Sequence, residues 1–434
     1  MTGATLIQNA DWVVEWDDIA KCHTYRRNGD VLIADDKIVK VADSVPISGS
    51  EPKEIVDGRG YMVMPGLINV HAHPSTEPAF RGVREDHGCL EHHMASLYER
   101  FQAFRLSDIG RVAALEIAYA ELLRSGVTAV CDQTFPIPGW QDVMRRSGMR
   151  VFVAPGYASA RWVIKSKTEI GYSWSENDGR RMLDGAIRII DQLDADPSGR
   201  LTGVIYPAQV DTCSEELLRD SVALAKERNL PITTHCSQAV IEFQEMVRRH
   251  GKSPIQWLHE IGFLGPNAIL GHAIFVDDHS SIRWHTHRDI DLLAETQTTV
   301  AHCPTPFARY GEALEDIGTY HSRGVNLGIG TDVAPHNIIE EMRLASILGR
   351  VKTRDIRAAN TGMIFDATTI GGARALGRDD IGRLMAGAKA DLVMVDLNHP
   401  SMIPPRDPLR ALIYSAADRA IKRVYVDGRA ALID

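Results

Sequence analysis

The sequence predicts an α/β protein, in which alternating strands and helices close into an eight-stranded barrel beside a small sheet domain built from both chain ends. Three observations carry this expectation. Strand patterns without long helices occupy both termini, strand-like and helix-like runs alternate through the middle, and metal-type side chains recur where the middle strands end. The 434 residues suit one barrel with an appended domain, since α/β barrels reach about 250 residues or more as a single unit.

The N-terminal stretch reads as short strands at Thr5–Gln8, Val31–Ala34 and Lys37–Val41, the last two joined by a turn at Asp35-Asp36. Met62–Val70 is an apolar run broken by Pro65-Gly66, and it delivers His71 and His73 at its end. Ser107 caps a helix running to Arg124, Gly126 stops it, and Val127–Cys131 is the next strand. Ser214, ahead of Glu215 and Glu216, opens another helix that leads into Pro231–His235. Later strand patterns end at Gly271-His272, Ala301-His302 and Thr331-Asp332, roughly 30 to 37 residues apart, the pace of units with one crossover helix each. Asp391–Leu397 is again a strand pattern, and Lys422–Ile433 is a hairpin turning at Asp427-Gly428. Such alternation gives a parallel sheet, either doubly wound or closed. No phosphate-binding glycine fingerprint stands near the start, so the closed form is preferred, with function at the carboxyl ends of its strands.

Composition narrows the function classes. With 48 basic against 57 acidic residues the formal charge is -9, which gives no footprint for nucleic acid or an anionic membrane. Hydrophobic residues at 44% and charged residues at 24% exclude extended disorder. No run approaches the ~18 apolar residues of a membrane span, and Met1-Thr2-Gly3-Ala4 lacks the basic and apolar regions of a signal peptide, so a cytoplasmic location is expected. Cys22, Cys89, Cys131, Cys213, Cys236 and Cys303 contain no CxxC pair and read as free thiols.

His71 and His73 are two positions apart and therefore share a strand face, where two imidazoles can grip one metal. His235, His272 and Asp332 follow apolar strand patterns of their own and converge over the same mouth. Three or four nitrogens plus one carboxylate suit Zn²⁺ or Fe²⁺, with room for a water whose pKa a catalytic zinc lowers to about 7. Asp332 can take the water's proton and later pass it to a leaving group, so one carboxylate serves as base and then acid. His302, a strand-end histidine beside Pro304, also points into the mouth.

Val63-Met64-Pro65-Gly66-Leu67-Ile68-Asn69-Val70-His71-Ala72-His73 resembles the first metal motif of the amidohydrolase superfamily, in its cytosine-deaminase and triazine-chlorohydrolase branch. Leu123-Arg124-Ser125-Gly126-Val127-Thr128, Ala301-His302-Cys303-Pro304, Gly330-Thr331-Asp332, Asn337 and Glu341-Met342-Arg343 are similar to later segments of that branch, in the same order. Gly382-Arg383-Leu384 through Gly387-Ala388-Lys389-Ala390-Asp391-Leu392 is similar to its return into a small β-sandwich. The resemblance implies a (β/α)8 barrel of the TIM type at residues 64–385, with a β-sandwich from residues 1–63 and 386–434. It implies one divalent metal, zinc before iron, manganese or cobalt, held by His71, His73, His235 and Asp332, with His272 close by. A homo-oligomer is expected by the same analogy.

Two departures shape the functional expectation. Deaminases of that branch carry a glutamate three residues after the third metal histidine, whereas this chain has Gln238, which has no titratable proton. Pro207-Ala208-Gln209-Val210-Asp211-Thr212-Cys213-Ser214 also lacks the histidine that the branch often shows there. Attack on a heteroaromatic carbon needs ring protonation, while an amide, urea or carbamate carbonyl can be polarised by a metal. The expectation is hydrolysis of such a non-ring C–N bond in a small, mostly apolar molecule, with Asp332, His272 and Gln238 catalytic. Deamination or dechlorination of a heteroaromatic ring, with Glu242, Glu85 or Asp86 as the acid, is the alternative, and a non-catalytic binding barrel is the third. Glu242 itself reads as a solvated helix residue. Phe135, Trp140, Tyr157, Trp162, Tyr172 and Trp174 supply loop aromatics, and Trp140, Tyr157, Trp162 and Trp174, with His302 and Asn337, are the expected substrate contacts. His87, His92 and His93 are not expected to be ligands.

Overall fold

The computed structural model describes residues 3–46, 52–83, 95–166, 169–193 and 195–434. Glu85, Asp86, His87, Cys89, His92 and His93 lie outside the described residues. The chain begins with β1 (Thr5–Asp17), β2 (Cys22–Ala34), β3 (Lys37–Ala42), β4 (Glu54–Asp57) and β5 (Tyr61–Pro65). The first two strands are longer than the apolar pattern suggests, because the ladder between them runs on past an irregularity at Ile7/Ala10 into half-exposed polar sequence. On either side of that irregularity β1 takes different parallel partners, β4 against Thr5–Gln8 and β5 against Trp12 and Val13. One strand thereby serves both halves of a folded-over sheet.

The barrel strands follow as β6 (Leu67–Ala72), β7 (Val127–Thr134) and β8 (Arg150–Tyr157), then the antiparallel hairpin β9 (Ala160–Ser166) and β10 (Glu169–Trp174). The fourth barrel position is split into β11 (Leu201–Gly203) and β12 (Tyr206–Pro207), both parallel to β8. β13 (Ile232–Cys236), β14 (Ala268–His272), β15 (Thr299–His302) and β16 (Asn326–Ile329) form a second parallel arc. Parallel bridges Ile205 to Ile232 and Gln209 to His235 join the arcs on one side, and Ala72 to Asp332 joins them on the other. The sheet is a closed (β/α)8 barrel.

Strand parity sorts the side chains. Ile68, Val70, Ala129, Cys131, Phe152 and Ala154 form an inner cluster, while Val130, Val151 and Val153 pack outward among the helices. Helix starts are set by side-chain caps: the Ser107 hydroxyl accepts from Gly110 N ahead of helix Asp108–Arg124, and that of Ser214 accepts from Leu217 N ahead of helix Glu215–Arg228.

After the barrel, β17 (Leu392–Asp396) runs antiparallel to β5, and β18 (Ile421–Val426) and β19 (Arg429–Ile433) continue outward as the expected hairpin. Both chain ends thus lie in one strand-rich layer. It is fastened to the barrel by Arg150 at the start of β8, which is buried against Asp391 at 3.1 Å and Asp427 at 2.5 Å.

Candidate metal centre

Five polar side chains meet at the carboxyl ends of β6, β13, β14 and the turn after β16. Donor atoms of His71, His235, His272 and Asp332 all lie within 4.8 Å of one another. His73 completes the group, its Nε2 being 3.2 Å from Asp332 Oδ1 and 3.1 Å from His235 Nε2. His71 Nε2 is also 3.2 Å from Asp332 Oδ1.

The scaffold fixes which nitrogens face inward. His73 Nδ1 donates to Gln133 O at 2.8 Å, and His235 Nδ1 donates to Ala208 O at 2.7 Å. A carbonyl accepts only, so each Nδ1 carries the proton and each Nε2 presents a lone pair. Asn69 clamps the strand that carries His71: its Oδ1 accepts from His71 N at 3.1 Å and its Nδ2 donates to Thr331 Oγ1 at 2.8 Å. Thr331 Oγ1 in turn meets His336 Nδ1 at 2.8 Å, and Asp332 N donates to His71 O at 2.9 Å. Backbone conformations unusual for non-glycine residues gather here, with φ of 81° at His272, 58° at Asp332 and 54° at Ser237. Gly271 is required by space, because a Cβ there would stand 2.8 Å from His71 Cε1.

Burial and charge tune the cluster. Burial pushes His71 down, and pushes His235 well down with the help of the neighbouring His71 and His73. Burial likewise takes His272 to about 3 and His302 to about 4. His73 is raised, since the Asp332 hydrogen bond and charge outweigh its burial. Asp332 is held well below the usual carboxylate range, burial being outweighed by His71, His73 and His272. Neutral imidazoles at His71, His235 and His272 around an ionised carboxylate suit a metal donor set, and His73 joins it on giving up the proton that Asp332 favours. Two imidazole lone pairs facing each other at 3.1 Å, with buried ring nitrogens of His71 and His272 lacking hydrogen-bond partners, fit a divalent cation between them.

A match to the Amidohydrolase family description covers residues 62–431. The chain belongs to the amidohydrolase family. It is 31% identical over 415 residues to the 5'-deoxyadenosine deaminase of Methanothermobacter thermautotrophicus, covering 94% of this chain and 90% of that one. It is 30% identical to the 5-methylthioadenosine/S-adenosylhomocysteine deaminase of Thermococcus onnurineus, covering 93% and 90%. A zinc-bound adenosine deaminase from Xanthomonas campestris superposes with a TM-score of 0.84 at 25% identity, over 100% of this chain and 93% of that one. An atrazine chlorohydrolase of Arthrobacter aurescens with zinc shares the fold, with a TM-score of 0.83 at 23% identity, over 98% and 94%. This amidohydrolase is accordingly a metal-dependent hydrolase of carbon–nitrogen bonds with a cluster suited to a single metal.

The remaining expected residues of the amidohydrolase separate into groups. Gln238 is buried directly after the β13 end, and His302 is buried at the end of β15 beside His272. Trp162 stands on the β9–β10 hairpin, with its indole N–H on Asp211. Trp174 is 43% exposed and lies under the Arg249 guanidinium. Three expectations need correction. Trp140 is buried behind β7, its indole donating to Asp132 at 3.1 Å, and Tyr157 has outward parity on β8, its hydroxyl meeting Ser221 of helix Glu215–Arg228 at 2.7 Å. Both belong to the scaffold between barrel and helices. Asn337 caps helix Ile338–Thr353, its side chain accepting from Glu340 N. Glu242 is fully buried rather than solvated: its two oxygens accept from Ser237 N at 2.5 Å and Gln238 N at 3.0 Å. Burial and the Asp211 charge push it up to about 8.

Sequence reasoning passed over Glu77, one helical turn past His73, although the spacing was visible. It is buried, 3.2 Å from Arg100, and pushed up to about 7 by burial, with Arg100 opposing. Glu341, buried and accepting from Thr305 N at 3.0 Å, ties the short helix Pro304–Arg309 after β15 to helix Ile338–Thr353.

Proposed function

We propose that the protein hydrolyses an amide, urea or carbamate C–N bond outside any aromatic ring, with one zinc ion held by His71, His73, His235 and Asp332 and with His272 beside it. The observation that carries this reading is the buried environment of Gln238. Gln238, three places after His235, has no titratable proton, and the acid packed against its backbone, Glu242, accepts from Ser237 N and Gln238 N. Among the described residues, Gln238 therefore offers a ring nitrogen no proton, leaving Glu77 as the raised carboxyl near the cluster, whereas a non-ring carbonyl requires none.

When bound, the ion makes water nucleophilic near neutral pH and polarises the carbonyl. Asp332 is ionised, so it accepts one proton from the attacking water at a carboxylate oxygen and delivers it to the departing nitrogen, which restores the carboxylate. His272 is neutral and presents an imidazole to the carbonyl oxygen, and Gln238 orients water or substrate through its amide. His302 and Trp162 contribute contacts further out.

A second reading, deamination of a purine-type ring, is favoured by the names of the curated relatives and by Glu77, whose raised carboxyl lies one turn from His73. The two are separated by incubating the zinc-loaded protein with amides, ureas, carbamates, aminopurines and aminotriazines. Release of an amine from the non-ring substrates is expected. Rapid ammonia release from aminopurines, with the others untouched, would replace this reading with the second.

A further inference from the structure

Helix Asp108–Arg124 has two apolar faces. One carries Leu115, Tyr119, Leu122 and Leu123 and is buried against the barrel. The other is exposed at Ile109, Ala113, Glu116, Ile117, Ala120 and Arg124, with Ile109 84% and Ile117 46% accessible. These positions follow one another at helical spacing, so they line up as a single strip. Leu106 lengthens the strip ahead of the helix, since a Cβ at Gly110 would stand 3.4 Å from its Cδ2. A helix facing water normally carries polar side chains on that side, and one that is apolar all round is covered all round.

Symmetry within the strip points to what covers it. About the midpoint between Glu116 and Ile117, Ala113 matches Ala120 and Ile109 matches Arg124. A second copy of the helix, laid antiparallel across a twofold axis, sets Ala113 against the partner's Ala120, where small side chains permit close approach. At each end the partner's Arg124 lays its aliphatic stem over Ile109 and brings its guanidinium to Asp108. Asp108 and Arg124 are both exposed and stand in no ion pair among the described residues. Glu116, beside the axis, is already balanced by Arg146 at 2.8 Å. A twofold contact requires a patch complementary to itself, and this one is so in shape and in charge.

We propose that the protein forms a twofold dimer through helix Asp108–Arg124, the two copies packing antiparallel with Ile117 nearest the axis and Asp108 paired with the partner's Arg124 at both ends. The contact lies on the outer wall of the barrel and uses neither the metal-type residues nor the mouth. It therefore stands or falls apart from the hydrolase reading.

Sedimentation velocity of the zinc-loaded full chain over about 1–100 μM tests it, with twice the mass of one chain expected at the upper end. Ile117→Glu plants two carboxylates at the axis and is expected to raise the dissociation constant about 100-fold or more, with circular dichroism and metal content unchanged. Arg124→Glu sets like charges together at both ends and is expected to weaken association about tenfold or more. Adding Asp108→Lys to Arg124→Glu restores opposite charges and is expected to recover the dimer. A native protein that stays monomeric overturns the proposal and leaves the strip to an unrelated partner. A dimer that Ile117→Glu leaves intact, or a loss in Arg124→Glu that Asp108→Lys does not recover, overturns it equally. Should Ile117→Glu not fold, Ile109→Glu takes its place with the same two outcomes, at the more exposed position.

Discussion

His73 and His235 face each other through their Nε2 atoms at 3.1 Å, with rings stacked at 14°. Backbone carbonyls hold both Nδ1 protons on the far side, so in the neutral rings neither Nε2 can donate to the other. Such a contact between lone pairs is repulsive unless a cation lies between them. His73→Gln is therefore expected to lower metal affinity by about 10- to 100-fold or more, measured by competition with a chelator, with the circular dichroism unchanged.

Asp332 is the group assigned to move the proton, and it is also a donor to the metal. Asp332→Asn keeps the side-chain shape and one oxygen but removes the base. The expected loss in kcat is about 10²- to 10⁴-fold, with KM changed far less. Metal analysis of the same variant separates a lost base from a lost ion.

Gly271 gives His71 its room. Gly271→Ala places a Cβ 2.8 Å from His71 Cε1 and 3.2 Å from its Nδ1, inside contact distance. The imidazole must shift, so metal affinity is expected to fall while stability drops by about 1–3 kcal/mol. Chelator competition beside thermal melting checks both parts.

Arg150 holds the strand-rich layer to the barrel through Asp391 and Asp427. Arg150→Met leaves buried carboxylates without their counter-charge, and breaking a buried pair in this way costs about 3–5 kcal/mol. A lower denaturant midpoint is expected. Turnover by the protein that remains folded should be close to native, since Arg150 lies at the end of β8 opposite the metal-type residues.

Stability should fall as pH rises from about 7 to 8, above the range in which the buried neutral histidines take up protons on unfolding. Burial raises Glu242 and Glu341 to about 8, and Asp289 to about 7, above their ordinary carboxylate values. In that window the unfolded chain has released protons that the folded chain still holds, so the unfolded state binds fewer and unfolding becomes easier with each step. Melting curves across this range should show the decline, with a shallower slope in Glu242→Gln.

Much of this was legible in the sequence. The barrel showed in the recurring strand ends, and each metal-type residue stands directly at or just after such an end, where apolar strand pattern meets a polar residue of ligand type. Helix starts at Ser107 and Ser214 were equally visible as caps. Where the loop aromatics lie was not, because Trp140 opens a helix packed behind β7, Tyr157 has outward parity on β8 and Trp162 stands on a hairpin inserted after β8, and composition carries none of this. Glu242 was misjudged because a glutamate in the first turn of a helix normally faces water. Here helix Val240–His250 starts against the barrel mouth, and the carboxyl turns back onto Ser237 and Gln238.

The central claim is that the imidazoles of His71, His73 and His235 hold a cation together with Asp332. Elemental analysis of the purified protein before and after chelator dialysis, paired with C–N hydrolysis on the same samples, tests it most directly. About one equivalent of divalent metal per chain is expected, with activity lost on removal and regained on adding zinc. Turnover that persists undiminished with less than a tenth of an equivalent bound would contradict it.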